Sequence, residues 1–253
     1  ALARGLAYSH PVESLDYAIR AHHAARRVGD SAVQLGALAF IGGGVFSNIP
    51  PLRKRGKKYL SLARALANAA GGKEFPAAVQ VWEGIGELNL GRWDSARALL
   101  ENALIDLAPA AERHWDRMTA QQAVFWIEWK SGRFEGLNQI ARRPYQDSLR
   151  RGDRLGRAIL GQYVAFSDVA SGRLPQALEV ARWLREEWMP SVFTVQHFYA
   201  AMIECLCSLR TGSVEAAYEA WLKIQPAFRK AGGERVDVSL VDNCELEISL
   251  ALH

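Results

Sequence analysis

The stretch Gly91-Arg-Trp-Asp-Ser-Ala96 decides the fold, because a similar arrangement returns three times further along the chain. The counterparts are Gly132-Arg-Phe-Glu-Gly-Leu137, Gly172-Arg-Leu-Pro-Gln-Ala177 and Gly212-Ser-Val-Glu-Ala-Ala217, and the intervals between the glycines are 41, 40 and 40 residues. Steps of the same length towards the N-terminus reach Pro50-Pro51 and then His10-Pro11. A fixed period of this size is typical of proteins built from repeated structural units. The sequence therefore predicts turns near residues 10, 50, 91, 132, 172 and 212.

Helical periodicity on both sides of each glycine indicates that every unit is a pair of amphipathic helices. Around Gly91 the apolar residues recur at helical spacing in two runs, which are Val81, Trp82, Ile85 and Leu88, and then Trp93, Ala96, Leu99, Leu100, Ala103 and Leu107. A glycine just past a helix end adopts the left-handed conformation at little cost, so it ends the first helix. One helical pair cannot bury its apolar face alone, so neighbouring pairs must stack. We therefore predict an all-α protein, a right-handed superhelix (solenoid) of about six degenerate ~40-residue hairpins, as a single domain over residues 1–253.

The composition excludes several classes of protein. The chain has 253 residues, 49% of them apolar and 23% charged, which suffices for a continuous core and leaves no apolar run of membrane-spanning length. The net charge of +4 is mild for a dedicated nucleic-acid-binding protein. An odd number of cysteines (Cys205, Cys207 and Cys244) without a signal peptide predicts buried, inert thiols and a reducing, cytoplasmic location. Because the chain starts without Met and stops within a helical pattern, we expect a fragment of a longer protein.

Small residues occur at fixed sequence separations from the turn glycines. Gly84 lies seven residues before Gly91, and Ala96 lies five after it. Ala165 and Ala177 hold the same two places around the turn at residue 172. Small side chains at such places let two helices approach closely. In these features the turns resemble tetratricopeptide repeats.

Some units depart from that pattern. Phe125 and Cys205 occupy the small position, Leu137 replaces the alanine, and the period exceeds the ~34 residues usual in the family. The chain is therefore similar to the longer, degenerate tetratricopeptide-like units found beside signal-transduction ATPase modules in large bacterial regulators.

Three short runs extend the resemblance to a kind of parent protein. They are residues 91–104, Thr119-Ala-Gln-Gln and Lys130-Ser-Gly-Arg. They look similar to the C-terminal region of bacterial serine/threonine kinases that combine kinase, ATPase and repeat domains. The resemblance implies a non-catalytic protein–protein interaction or sensor module of a larger bacterial signalling protein.

The same resemblance implies a binding surface in the concave groove of the superhelix. In the family the first helix of each unit lines this groove, where a peptide, another domain of the parent chain or a small-molecule effector would bind. Carried over to this chain, the groove-binding residues would be Gln122, Trp126, Trp129, Gln162, Phe166, Tyr199 and Arg210, beside Val81, Ile85 and Met202. Core packing of the same side chains is the alternative, since a phase error of one residue would exchange the two sets.

A second candidate surface is the basic segment, residues Arg53, Lys54, Arg55, Lys57 and Lys58. It opens a predicted helix, where cations oppose the macrodipole, so helix stability does not account for it. A solvated helix face is the ordinary interpretation. The alternative is docking of an acidic partner, which would be another domain, a phosphopeptide or, less favoured, nucleic acid.

Motifs for catalysis, cofactors and metals are missing from the sequence. Gly42-Gly43-Gly44 lies in a helical pattern without the Gly-Lys-Ser/Thr of a phosphate-binding loop, which predicts close helix packing, with a kink or hinge as the alternative. The six histidines form no His-Glu-x-x-His pattern. We therefore expect no enzyme, no cofactor and no metal site in this fragment. The alternative functions are a small-molecule-binding regulatory domain or all-helical enzyme with an enclosed pocket, and nucleic-acid binding through the basic segment.

Overall fold

The computed structural model describes residues 11–189 and 191–230, and these residues form helices joined by short turns. The α-helices are α1 (Pro11–Val28), α2 (Ser31–Ala39), α3 (Arg53–Ala70), α4 (Glu74–Asn89), α5 (Trp93–Leu107), α6 (His114–Lys130), α7 (Phe134–Arg150), α8 (Arg154–Ala170), α9 (Leu174–Glu186), α10 (Val195–Arg210) and α11 (Val214–Lys230). A π-helical segment covers Phe40–Val45, and 3-10 segments cover Phe46–Asn48, Pro50–Leu52 and Ala111–Arg113. Within these ranges there is no β-strand, so the all-α prediction is confirmed for them. The turn predicted near residue 10 lies outside the described residues.

The same turn ends five of the helices, at the four repeat glycines Gly91, Gly132, Gly172 and Gly212 and also at Gly152. The φ angles are +74°, +70°, +75° and +77° at the four repeat glycines and +65° at Gly152. Each glycine N–H donates to the carbonyl three residues before it, at 3.0 to 3.1 Å. The next residue's N–H donates to the carbonyl four residues before the glycine, at 2.8 to 3.0 Å. This pair of hydrogen bonds is the Schellman motif, which satisfies the last carbonyls of a helix and requires a left-handed residue.

The positions that carry the family resemblance are interior. The residue five after each turn glycine is fully buried at 0% exposure, in all four units: Ala96, Leu137, Ala177 and Ala217. The residue seven before the glycine is also buried in each unit: Gly84, Phe125, Ala165 and Cys205. An added Cβ at Gly84 would lie 2.8 Å from Cγ of Leu100, so a larger residue would force Leu100 to shift where α4 meets α5.

The chain divides into two compact units, and we describe each by itself. In the unit of residues 12–127, α2 contacts α3, α3 contacts α4, α4 contacts α5, and α2 also contacts α4. One of its core clusters joins α4, α5 and residues 120–127 of α6 and contains Val81, Leu100, Leu107, Val124 and Ile127. Stacking of a helix on both the next helix and the next but one therefore occurs inside this unit.

The unit of residues 128–230 repeats this arrangement. Each helix from α7 to α10 contacts its successor, and α8 also contacts α10. Nearly every residue of α8 from Gly156 to Val169 is buried. In α10, the ring of Phe198 stacks on Phe228 at 4.0 Å and meets Trp221 edge-on at 5.7 Å. In the part of the chain that the structure describes, none of the helices has the length and apolar character needed to cross a bilayer.

The glycine run Gly42-Gly43-Gly44 lies in the π-helical segment and packs against two helices. An added Cβ would lie 2.8 Å from the carbonyl oxygen of Gly56 if placed on Gly42, and 2.0 Å from the carbonyl oxygen of Trp82 if placed on Gly43. The prediction of close helix packing is therefore confirmed, since only glycine lets this backbone approach α3 and α4 so closely. The π-helical turns accommodate the same approach by changing the local helix register.

Candidate functional site

A cleft of about 630 Å3 opens in the unit of residues 12–127. Three cations on α3 line it, Arg53, Lys57 and Arg64. Two carboxylates from α4 also line it, Glu83 and Glu87, one helical turn apart. A volume between about 300 and 1,000 Å3 is typical of sites for small ligands or for a few residues of a peptide.

Glycine and serine form part of the cleft lining. Gly42 and Gly86 both line the cleft, and the close approach of Gly42 to α3 brings the end of the π-helical segment to this point. The Ser47 hydroxyl donates to the Gly43 carbonyl and accepts a hydrogen bond of 3.1 Å from the Asn89 side chain. These bonds tie the segment after α2 to the end of α4.

Arg53 is anchored to this part of the lining. Its Nε donates to the carbonyl oxygen of Ser47 at 3.1 Å, a contact that reaches back over six residues. The bond fixes the guanidinium direction and uses only one of its nitrogens. Arg53 begins α3, where no side chain caps the helix and no acidic residue lies in the first turn.

Two ion pairs hold the other arginines of the cleft. Arg64 donates to both carboxylate oxygens of Glu83, through Nε at 3.0 Å and through a terminal nitrogen. Arg92, which directly follows the turn glycine, donates to Glu87 at 3.2 and 3.4 Å. Because both arginine side chains are more than half exposed, each pair contributes only up to about 1 kcal/mol to stability.

The basic segment predicted from the sequence is divided by the fold. Arg53 and Lys57 line the cleft, whereas Lys54, Arg55 and Lys58 do not. Arg55 instead donates to the Tyr59 hydroxyl at 3.1 Å, and its guanidinium lies 5.5 Å from the centroid of that ring. Among the residues described, Lys57 forms no ion pair. The segment is therefore not one uniform surface, because only Arg53 and Lys57 of its five cations line the cleft.

A repeated ion pair at the turns was not predicted from the sequence. Arg92, Arg133 and Arg173 each directly follow a turn glycine, and each donates to an acid four residues before that glycine: Glu87, Glu128 and Asp168. We call these pairs turn clasps. Each arginine therefore contacts its acid twice. Its backbone N–H donates to the carbonyl oxygen of the acidic residue, and its side chain donates to the carboxylate. The fourth turn has Ser208 and Ser213 at these places; it keeps the backbone bond between them but has no acid and arginine to form the ion pair.

The clasps differ in burial, and the one at Asp168 is the most elaborate. The Asp168 side chain is only 2% exposed, and one of its oxygens accepts from Arg173 at 2.7 Å and also from Arg142. Glu128 is 4% exposed and binds both Nε and a terminal nitrogen of Arg133, at 3.0 and 3.1 Å. Buried carboxylates with several charge-assisted hydrogen bonds are structural elements of the turn.

Three of the predicted groove residues form one aromatic row in the unit of residues 128–230. The rings of Trp129 and Phe166 are 4.4 Å apart, and those of Phe166 and Tyr199 are 6.0 Å apart. Trp129 is half-buried, while Phe166 and Tyr199 expose 0% and 6%. The structure therefore packs these three rings against one another, with Trp129 the most exposed of them.

The other predicted groove residues are placed differently. Gln162 is fully buried, Arg210 is exposed at the end of α10, and Gln122 and Trp126 are half-buried on α6. Both amide atoms of Gln162 lack a hydrogen-bond partner within the described structure, and so do those of Gln196 on α10. A buried amide without partners lowers the free energy of unfolding by about 1 to 3 kcal/mol, so these two side chains destabilise the fold.

Both described cysteines lie in the interior. Cys205 and Cys207 are buried, and burial raises the pKa of Cys207 to about 11. A thiol of this pKa carries almost no thiolate at neutral pH. The prediction of buried thiols is confirmed for these two residues, and Cys244 lies outside the described range.

Burial lowers the pKa of two described histidines, His22 and His197. Burial lowers the pKa of His197 below its ordinary value of 6.5, against an opposing effect of backbone hydrogen bonds. Its Nδ1 accepts the N–H of Thr194 at 3.0 Å, which closes a capping box at the start of α10. His197 therefore has a structural role in a helix cap. Within the described ranges no three metal-ligating side chains converge on one point.

No protein-family model and no curated protein matches this sequence.

Proposed function

We propose that this chain is a non-catalytic interaction and sensor module of a larger bacterial signalling protein, built as a right-handed superhelix of tetratricopeptide-like hairpins. Its work is to bind a protein segment, a partner domain or an effector on the surface between stacked helices. Its location in the cell is the cytoplasm.

The observation that carries the proposal is the recurrence of one turn. Schellman turns recur at Gly91, Gly132, Gly172 and Gly212, at intervals of 41, 40 and 40 residues, each with a buried residue five places later, and one more lies between two of these units at Gly152. Within each compact unit, helices also pack on the next helix but one. Repeats that contact mainly their neighbours create extended surfaces suited to binding.

A second function is favoured by one specific observation. The cleft in the unit of residues 12–127 has a volume of about 630 Å3, which is in the range of small-molecule sites. A regulator that binds a small effector there would be a sensor in the same sense, with the ligand in place of the protein segment.

Small-angle scattering tests the architecture. A compact globule of this length has a radius of gyration of about 18 Å, and we expect the superhelix to exceed 20 Å clearly. A value near 18 Å, with a globular pair-distance distribution, would contradict the superhelix.

The gene tests the role in signalling. We expect the reading frame that encodes this chain to encode a kinase or ATPase domain as well. Cross-linking of that whole protein should then join lysines of the module to the catalytic domain or to a captured partner. A reading frame without such a domain would contradict the signalling role, and turnover of a substrate by the isolated chain would contradict the non-catalytic role.

A further inference from the structure

The cleft of the unit of residues 12–127 holds more positive than negative charge. Four cations line it, Arg53, Lys57, Arg64 and Arg92, against the two carboxylates of Glu83 and Glu87. Each carboxylate is already bound by one arginine, Glu83 by Arg64 and Glu87 by Arg92. Arg53 and Lys57 therefore remain with two positive charges and no acidic partner in the described structure.

We propose that the cleft binds the dianion of a phosphate monoester between Arg53 and Lys57. The assignment rests on the proposed function, since it names the ligand chemistry of one surface of that module. A phosphate monoester carries a charge of about −1.5 to −2 at neutral pH, which matches the two unpaired cations. Arginine offers a planar set of donors and lysine a point charge, the two kinds of group that phosphate oxygens accept.

The two cations are placed to act together. Arg53 and Lys57 are four residues apart on α3, so their side chains leave the same face of the helix. The bond from Arg53 Nε to the Ser47 carbonyl holds the guanidinium in position and leaves its two terminal nitrogens for a ligand. The N-terminal end of α3 adds the positive end of its macrodipole, with no acidic residue in the first turn to offset it.

The carboxylates select against larger anions. Glu83 and Glu87 line the same cleft, and they repel a chain of phosphates more than a single compact group. A volume of about 630 Å3 is also in the range of sites for small ligands. The arrangement therefore favours one phosphate group attached to a small body.

That group has two possible sources with the same chemistry. One is a phosphoserine or phosphothreonine side chain of a partner protein, and the other is a free phosphorylated metabolite. The test uses both kinds of probe on the full chain labelled with 15N. The probes are O-phosphoserine, a capped pentapeptide with one phosphoserine between alanines, and the same peptide with unmodified serine.

We expect saturable shifts of cleft amides and of the Arg53 Nε–H with both phosphorylated probes, with Kd values of about 1 mM or tighter, and none with the serine peptide. A phosphopeptide that binds about tenfold tighter than O-phosphoserine would identify a protein partner, and equal affinities a metabolite. The absence of saturation by any phosphorylated probe up to about 10 mM would overturn the proposal.

Neighbouring lysines supply a matched control. Lys57→Ala removes a cation of the cleft, and Lys58→Ala removes the same charge from the next residue, which is exposed and outside the cleft. We expect Lys57→Ala and Arg53→Ala to weaken O-phosphoserine binding about fivefold or more, and Lys58→Ala less than twofold. Equal losses for Lys57→Ala and Lys58→Ala would show non-specific attraction and overturn the site.

This outcome is separable from the fate of the proposed function. We expect each variant to fold, because all three changed side chains are exposed. Far-UV circular dichroism checks this. A chain that fails to bind phosphate but shows the extended scattering profile and the cross-links to a partner contradicts this inference alone.

Discussion

Replacing Gly43 by alanine tests the packing on which the cleft is built. In the structure, the added Cβ would lie 2.0 Å from the carbonyl oxygen and 2.6 Å from the carbonyl carbon of Trp82. Both atoms belong to the backbone of α4, so no rotation of a side chain can relieve the contact. Either α4 or the π-helical segment has to move by about 1 Å, since carbon and oxygen atoms in contact need ~3.2 Å.

The expected loss of stability is the balance of two effects. Overpacking of a well-packed interior costs about 1 to 3 kcal/mol, and a clash with backbone is at the upper end of that range or above it. Alanine in place of glycine offsets up to about 1 kcal/mol through helix propensity. The move would also disturb the Gly43 carbonyl, which accepts from Ser47. We therefore expect Gly43→Ala to lower the free energy of unfolding by about 2 kcal/mol or more.

Guanidinium denaturation of the whole chain, followed by far-UV circular dichroism, measures this change. Gly86→Ala is the matched control, because Gly86 is also buried and helical but its added Cβ would find its nearest atoms at an ordinary 3.7 Å. We expect this control to be neutral or more stable by up to about 1 kcal/mol. A Gly43→Ala variant within about 0.5 kcal/mol of the natural chain would refute the close approach of the two segments.

Three further outcomes follow from individual side chains. Asp168→Asn should destabilise the protein by about 2 kcal/mol, because it removes a buried charge that two arginines share, whereas Glu87→Gln at an exposed clasp should cost less than ~1 kcal/mol in the same denaturation assay; equal losses would contradict the role of burial. Alkylation of Cys207 at pH 8, followed by peptide mass spectrometry, should be about a hundredfold slower in the folded than in the unfolded chain, because a pKa of about 11 leaves little thiolate; labelling at the unfolded rate would exclude that burial. Because the pKa of His197 is lowered on folding, its contribution to stability should be complete above pH 6.5 and decline as the pH falls below that value, so His197→Gln should flatten the dependence of unfolding free energy on pH between about 7.5 and 5; an unchanged slope would show that this histidine keeps its ordinary pKa.

The turns were predictable from sequence because their chemistry is local. Glycine adopts the left-handed conformation after a helix at the lowest cost in free energy. The sequence therefore shows these turns at Gly91, Gly132, Gly172 and Gly212 without knowledge of the fold. The close packing of the glycine run was also within reach, since glycine inside a helix is costly unless space demands it. The turn clasps could have been found as well, from an acid four residues before each of the first three glycines and an arginine one after.

The groove residues were harder to place, for a physical reason. Hydrophobic periodicity identifies which face of a helix is buried only when another face meets solvent. In α8 this contrast is missing, because almost every position from Gly156 to Val169 is interior. Hydrophobic periodicity therefore cannot show whether Phe166 and Gln162 face a groove or the core, because both are buried. The cleft depends on the approach of α3, α4 and the π-helical segment in space, which spacing along the chain does not reveal.

The left-handed turns also make this chain a suitable host for mirror-image residues. At Gly91, Gly132, Gly172 and Gly212 the backbone has the φ that a D-amino acid prefers, and all four positions are exposed. A D-alanine introduced there by chemical ligation would keep the native turn and restrict the unfolded chain, with an expected gain of about 0.4 to 1 kcal/mol per site. Substitutions at these four turns would thus stabilise the protein without any change in the sequences of its helices.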